Sequence, residues 1–144
     1  GDIYGGAYLS DFGGTINNCV FKDNSAISGG AVLAIGCKIN NSTFINNSAV
    51  DGGAVYQNKG SIYDCTFIDN SAEFGGAVYQ LNSSVHDSTF LNNHAGGGCD
   101  DICNALWGVL SVKSCAVTHI VAHYSCVNAL LARCSQCERN DGQK

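Results

Sequence analysis

With 144 residues, 45% of them hydrophobic, the chain suits one domain with a packed core, and disorder is not its default. A net charge of −5, with seven Lys and Arg that never cluster, excludes the electrostatic footprint of a nucleic-acid binder. Nine cysteines point to an oxidising compartment, extracellular or cell-surface, with buried free thiols as the plainer alternative.

The chain opens on Gly1-Asp2-Ile3-Tyr4, which takes the phase that Gly-Ala-Val occupies further on and aligns Ile3 with Val32, Val55 and Val78. Ile3 to Ile16 then spans 13 residues where Val32 to Ile39 spans seven, so the first unit carries a six-residue insertion. The absence of an initiator Met predicts a processed chain or an excerpt of a longer one. An opening part-way through a unit predicts either an excerpt of a longer β-helix or an end whose strand edges receive a partner chain.

From there the chain repeats. Phe21, Phe44, Phe67 and Phe90 fall 23 residues apart without a slip. Three residues after each stands Asn24, Asn47, Asn70 and Asn93, and two further on Ala26, Ala49, Ala72 and Ala95. Five residues before each Phe is a β-branched residue, Ile16, Ile39, Ile62 and Val85, and two before it a small one, Cys19, Ser42, Cys65 and Ser88. Glycine pairs follow at Gly29-Gly30, Gly52-Gly53 and Gly75-Gly76, with Gly97-Gly98 one residue early.

A period of this length means stacked units, none of which can bury its apolar side alone. Short alternating runs such as Ser61-Ile62-Tyr63-Asp64-Cys65-Thr66-Phe67 suit strands, and Gly pairs and Asn clusters mark the turns between them. The leucine-rich frame is absent, which leaves a parallel β-helix with coils about 4.8 Å apart. Phe then stacks on Phe, Ile on Ile, and each inward Asn bonds the Asn of the next coil. Phe21, Phe44, Phe67 and Phe90 with Asn24, Asn47, Asn70 and Asn93 are the expected core ladders.

The unit F-x-x-N with G-G-A-V, at Phe21/Asn24 with Gly29 to Val32, Phe44/Asn47 with Gly52 to Val55 and Phe67/Asn70 with Gly75 to Val78, resembles the repeat of the polymorphic membrane proteins, the chlamydial autotransporter adhesins. The resemblance covers about residues 1 to 100, and Phe90/Asn93 lacks a clean G-G-A partner. It implies a right-handed β-helical passenger displayed outside the cell and acting in adhesion. The chain includes no autotransporter barrel, so membrane anchorage is not carried over.

Beyond the fourth Phe the pattern decays. Cys99-Asp100-Asp101-Ile102 repeats the Gly-Gly-Ala-Val phase, and Val112 to Val117 mimics Val85 to Phe90 with Val117 for Phe, which predicts a fifth, imperfect coil. Ile120, Tyr124, Val127 and Leu131 keep helical spacing after an N-cap at Thr118, so 118–134 reads as a capping helix, with a sixth degenerate coil as the competing reading. The domain division is thus 1–117 for the coils and 118–144 for the cap. The apolar stretch from Ala105 to Ala132 is interrupted by Lys113, His119 and His123 and makes no membrane span.

Candidate sites are few. Cys99, Cys103, Cys115, Cys126, Cys134 and Cys137 are disulfide candidates that would staple the far end. Cys99, Cys103, Cys134 and Cys137, with His119 and His123, have spacings compatible with zinc, a reading that an extracellular chain disfavours. Cys19 and Cys65 share an inward column as core thiols, and Cys37, placed in a turn, is the expected unpaired or intermolecular cysteine. Asn40, Asn41, Asn46 and Asn82 head glycosylation sequons. Asp23, Asn46, Asp69 and Asn92 read as solvated turn residues, not as a calcium loop. Asp100-Asp101 is the sole acidic pair, and no polysaccharide-cleaving constellation accompanies it.

Thr43, Ile45, Thr66, Ile68, Thr89 and Leu91 form an outward stripe that suits packing against protein better than ordering ice, since Val20 breaks its threonine column. The expected fold is an all-β solenoid, a right-handed parallel β-helix of about five coils with a Cys-rich cap. Its expected role is non-catalytic, structural or adhesive, with no cofactor. The partners are further copies stacked head to tail into a fibre, or surface proteins and glycans bound by a monomeric adhesin; a polysaccharide lyase or epimerase is the enzymatic alternative.

Overall fold

A computed structural model describes residues 6–10, 12–104, 110–113 and 116–117. The proposed cap at 118–144, with its helix, and Ile3 lie outside the described residues. Each coil contributes three short strands. The first holds β1 (Tyr8–Ser10), β2 (Thr15–Asn17) and β3 (Val20–Lys22); the second β4 (Val32–Ile35), β5 (Lys38–Asn40) and β6 (Thr43–Ile45). The third holds β7 (Val55–Asn58), β8 (Ser61–Tyr63), β9 (Thr66–Ile68) and an added β10 (Ser71–Phe74). The fourth holds β11 (Val78–Leu81), β12 (Ser83–His86), β13 (Thr89–Leu91) and β14 (His94–Gly98), and β15 (Ile102–Asn104), β16 (Leu110–Lys113) and β17 (Ala116–Val117) begin the next.

Every named pairing is parallel. Three sheets result, β1-β4-β7-β11-β15, β2-β5-β8-β12-β16 and β3-β6-β9-β13-β17, closed on the fourth side by β10-β14 and bridges through Ser25, Ser48 and Ser71. The chain is a parallel β-solenoid, and among the described residues it contains no helix. Phe21, Phe44, Phe67 and Phe90 stand in one register, and Val117 continues it beside Phe90. The four rings stack at 5.0, 4.8 and 4.8 Å with planes within 8° of parallel. Ile16, Ile39, Ile62 and Val85, and Val32, Val55, Val78 and Ile102, fill the two other inner columns.

Corners explain the sequence between the strands. Asn18, Asn41, Asp64 and Asp87 turn the chain between the second and third sheets, and Asp23, Asn46, Asp69 and Asn92 turn it after the third, all at positive φ. Asn and Asp tolerate that region because their short side chains bond locally. At the corner before the first sheet Gly29, Gly52 and Gly75 carry φ of 62°, 68° and 65°. The glycine after each has another reason: a Cβ built on Gly53 would collide with the carbonyl of Gly76 in the next coil.

Polar columns inside the solenoid are satisfied by their own kind. Asn24, Asn47 and Asn70 each donate Nδ2 to the Oδ1 of the next Asn at 3.0–3.1 Å, while Asn47, Asn70 and Asn93 each donate Nδ2 to the carbonyl of Phe21, Phe44 and Phe67. The ladder ends where Asn93 donates to Asp101 Oδ1 at 3.0 Å. A second ladder was not anticipated: Gln57 and Gln80, both fully buried, stack on the inner face of the first sheet, with Gln57 Nε2 donating to Gln80 Oε1 at 2.9 Å. Its signal was present, since Val-Tyr-Gln occurs at 55–57 and again at 78–80.

Gln57 Oε1 is buried without a hydrogen-bond partner among the described residues, because its neighbour in the column below is Ala34. Ala34→Gln supplies a donor one coil down and extends the ladder. The variant should gain about 1 kcal/mol, the net value of one buried hydrogen bond, read as a shift of the urea midpoint at unchanged slope.

Two sequence expectations are corrected. Tyr8, and not Ile3, pairs with Val32, so the first coil has one extra residue over the 23-residue period rather than six. Gly6-Ala7-Tyr8 carries the Gly-Ala-Val role there, as Ala7 N–H bonding Ala31 O shows. The pair Gly97-Gly98 does not form the fourth glycine corner. A register shift between Ala72 and Phe74 against β14 absorbs one residue, so Cys99 takes the corner with φ 60°.

Candidate functional site

The outer face of the third sheet is built by alternation. Phe44 and Phe67 point inward and are fully buried, which forces their neighbours in β6 and β9 outward. Val20, Thr43, Thr66 and Thr89 form one outward column, and Lys22, Ile45, Ile68 and Leu91 the other. Val20 is 69% exposed and Leu91 37%, while Thr43, Ile45, Thr66 and Ile68 are half-buried by one another. Thr43, Ile45, Thr66, Ile68, Thr89 and Leu91 therefore lie together on one outer face, uncharged over these three coils and bordered by Lys22 in the first. Ile27 and Val50, 50% and 48% exposed, add apolar surface on the adjoining side.

The face of the first sheet is aromatic. Tyr56 and Tyr79 stack at 5.1 Å, with Asp51, whose carboxyl burial pushes up, close enough to raise the Tyr56 hydroxyl as well. Burial is the larger cause of the Tyr56 shift. On the second sheet Tyr63 stacks on His86 at 4.5 Å.

Other candidate residues are dispersed. Asn41, Asn46 and Asn82 are exposed at αL corners and Asn40 is half-buried; Asn46 Nδ2 donates to Asp23 Oδ1 at 2.8 Å. Cys65 is buried, and burial pushes its thiol up to about 11. Cys19, expected as a core thiol, is exposed instead: its amide bonds Ser42 Oγ on one side, and no described residue covers the other. Cys37, expected as the unpaired or intermolecular cysteine, is in no disulfide among the described residues; it is buried in the main core with its thiol raised by desolvation, which speaks against the intermolecular alternative.

Cys99 and Cys103 are buried together with Phe74 and Tyr79 in a second apolar cluster. No disulfide joins any two described cysteines. Cys115, Cys126, Cys134 and Cys137, with His119 and His123, lie outside the described residues, and among the described residues no three His, Cys, Asp or Glu converge on a metal position.

Asp100 and Asp101 do not line an outer face. They occupy the columns of Gly76 and Ala77 and are 2% and 1% exposed. Asp100 Oδ1 accepts from Ala95 N–H at 2.8 Å and lies 3.7 Å from His94 Nδ1. Asp101 Oδ2 is buried with no hydrogen-bond partner among the described residues. Desolvation pushes the Asp101 carboxyl up to about 8, against the opposing bond from Asn93 and with the Asp100 charge adding to the rise. A carboxyl enclosed in this way cannot meet a polysaccharide.

The family model of the Chlamydia polymorphic membrane protein repeat matches residues 41–58 and 64–80. These stretches run through the corner, strand and Gly-Gly-Ala segments from the second coil into the third and from the third into the fourth. No curated protein and no solved structure matches the chain.

Proposed function

Because these coils are repeats of the polymorphic membrane protein type stacked as a parallel β-helix, we propose that the chain is a non-catalytic, surface-displayed adhesive module. The observation that carries this reading is the uncharged stripe on the third sheet, repeated at fixed register in the second, third and fourth coils. Its interior side chains are consumed by stacking, which leaves the outer faces for recognition.

Area sets how such a face works. Three-residue strands over four coils present about 200 Å², far below the roughly 800 Å² per partner of a stable interface. One stripe therefore binds weakly, and adhesion through it depends on many copies engaging together. Beads carrying the chain at high density are expected to bind host-cell surfaces or immobilised glycans. A Thr66→Lys/Ile68→Lys variant, with Phe67 and the core intact, should lose about tenfold in retention, a loss of roughly 1.4 kcal/mol. Equal retention of the variant would sink the stripe as the contact.

Stacking of copies head to tail into a fibre is the second reading. It is favoured by the sameness of successive coils, since each offers its neighbour the same Phe and Asn columns. Electron microscopy at high concentration distinguishes the two, fibres for the second and single particles for the first. Shortening of a uronic-acid polysaccharide on incubation would overturn both in favour of an enzyme.

A further inference from the structure

We propose that Cys99 and Cys103 close a reversible disulfide that locks the corner leading into β15. Three observations carry it. Cys99 stands at φ 60°, where the three preceding coils place glycine, so a side chain is held in a conformation that L residues disfavour. The corner also folds back on itself: a Cβ built on Gly75 comes within 3.1 Å of Tyr79 N. Gly76 N–H bonds Cys99 O as Gly53 N–H bonds Gly75 O, and Tyr79 pairs with Cys103. The same fold-back one coil later sets the Cys99 side chain against the backbone of Cys103. Finally, the two side chains are 1% and 4% exposed and share one apolar cluster with Phe74 and Tyr79, apart from the main core.

The step needs a disulfide oxidant of the glutathione class. One protein thiol, as thiolate, attacks the oxidant's S–S bond, forms a mixed disulfide and releases one oxidant thiol. The second cysteine then attacks the protein sulfur, forms the Cys99–Cys103 bond and releases the other oxidant thiol. Two protein thiols are oxidised, one oxidant disulfide is reduced, and the two protons leave with the released thiols. The ring encloses few residues, so it constrains the unfolded chain little and acts as a local lock on β15 more than as a global staple.

The test is peptide mapping of the full chain equilibrated with oxidised glutathione, then alkylated in denaturant without reduction. The peptide carrying both residues should appear unalkylated at each and roughly 2 Da lighter than its dithiol form. After reduction it should take two alkyl groups. Cys99→Gly, which restores the glycine of the other corners, should fold and leave Cys103 open to alkylation. Both thiols alkylated without reduction, or either residue cross-linked to a different cysteine, would overturn the assignment.

Discussion

Phe67→Ala should cost about 4 kcal/mol of stability, in the upper part of the range for truncating a buried aromatic ring. Phe67 has no exposed surface and lies between two rings, 4.8 Å from Phe44 on one side and 4.8 Å from Phe90 on the other. Removing it opens a cavity that neither neighbour can fill, because each is fixed by its own strand in the same register. It also leaves two stacking contacts unmade.

Phe21→Ala is the internal comparison. That ring is half-buried and stacks on Phe44 alone among the described residues, so its loss should cost about half as much. Urea unfolding of both variants decides the matter. Near-equal costs would mean that the column does not act as a continuous stack, and the claim that each coil is held by its two neighbours would fail with it. In a solenoid, a central unit carries two interfaces and a terminal one only one.

What was legible in the sequence follows from what a stack demands. A column is visible when one side-chain type is the sole good filler at every level, and Phe44, Phe67 and Phe90 satisfy that condition. The αL corners were visible as Asn and Asp because few other residues accept the conformation. Cys99-Asp100-Asp101-Ile102 was readable as the next Gly-Gly-Ala-Val phase, and the structure places it there, with Cys99 at the backbone angle that glycine holds in the preceding coils. The added residue in β14 leaves Gly97-Gly98 ahead of the corner. At the start, Ile3 looked like a column valine by residue type, whereas the register is set by Gly6-Ala7 meeting Gly29 and Ala31 through backbone bonds.

The candidate site divides in the same way. Alternation about a buried Phe made the outward Thr and Ile columns readable from spacing alone. Accessibility of single cysteines was not readable, because whether Cys19 or Cys37 meets solvent depends on which coil lies beside it. The column of Asp101 was readable from its phase, but its burial was not. Its position is an alanine in each preceding coil, with Ala31, Ala54 and Ala77 all fully buried, and an acidic residue is the one least expected there.

That misfit predicts an unusual dependence on pH. In the folded chain Asp101 holds its proton up to about pH 8, whereas in the unfolded chain it releases it near the ordinary carboxyl value of 3.8. Between these values the folded state binds more protons than the unfolded state does. Stability from this group is therefore fully present below about pH 4 and falls as pH rises, until the loss is complete above about 8. At about 1.4 kcal/mol per unit, the full span is on the order of 5 kcal/mol.

Asp101→Asn removes the titration while keeping an oxygen to accept from Asn93 Nδ2. The variant should match the parent chain near pH 4 and exceed it at pH 8, with the gap opening steadily between them in urea unfolding. The sign is opposite to that of a salt-bridged carboxylate, whose substitution costs most at neutral pH. A parent chain whose stability rises from pH 4 to 8 by as much as that of the variant would place the Asp101 carboxylate in contact with water or a cation, and the enclosed end of the Asn ladder would have to be redrawn.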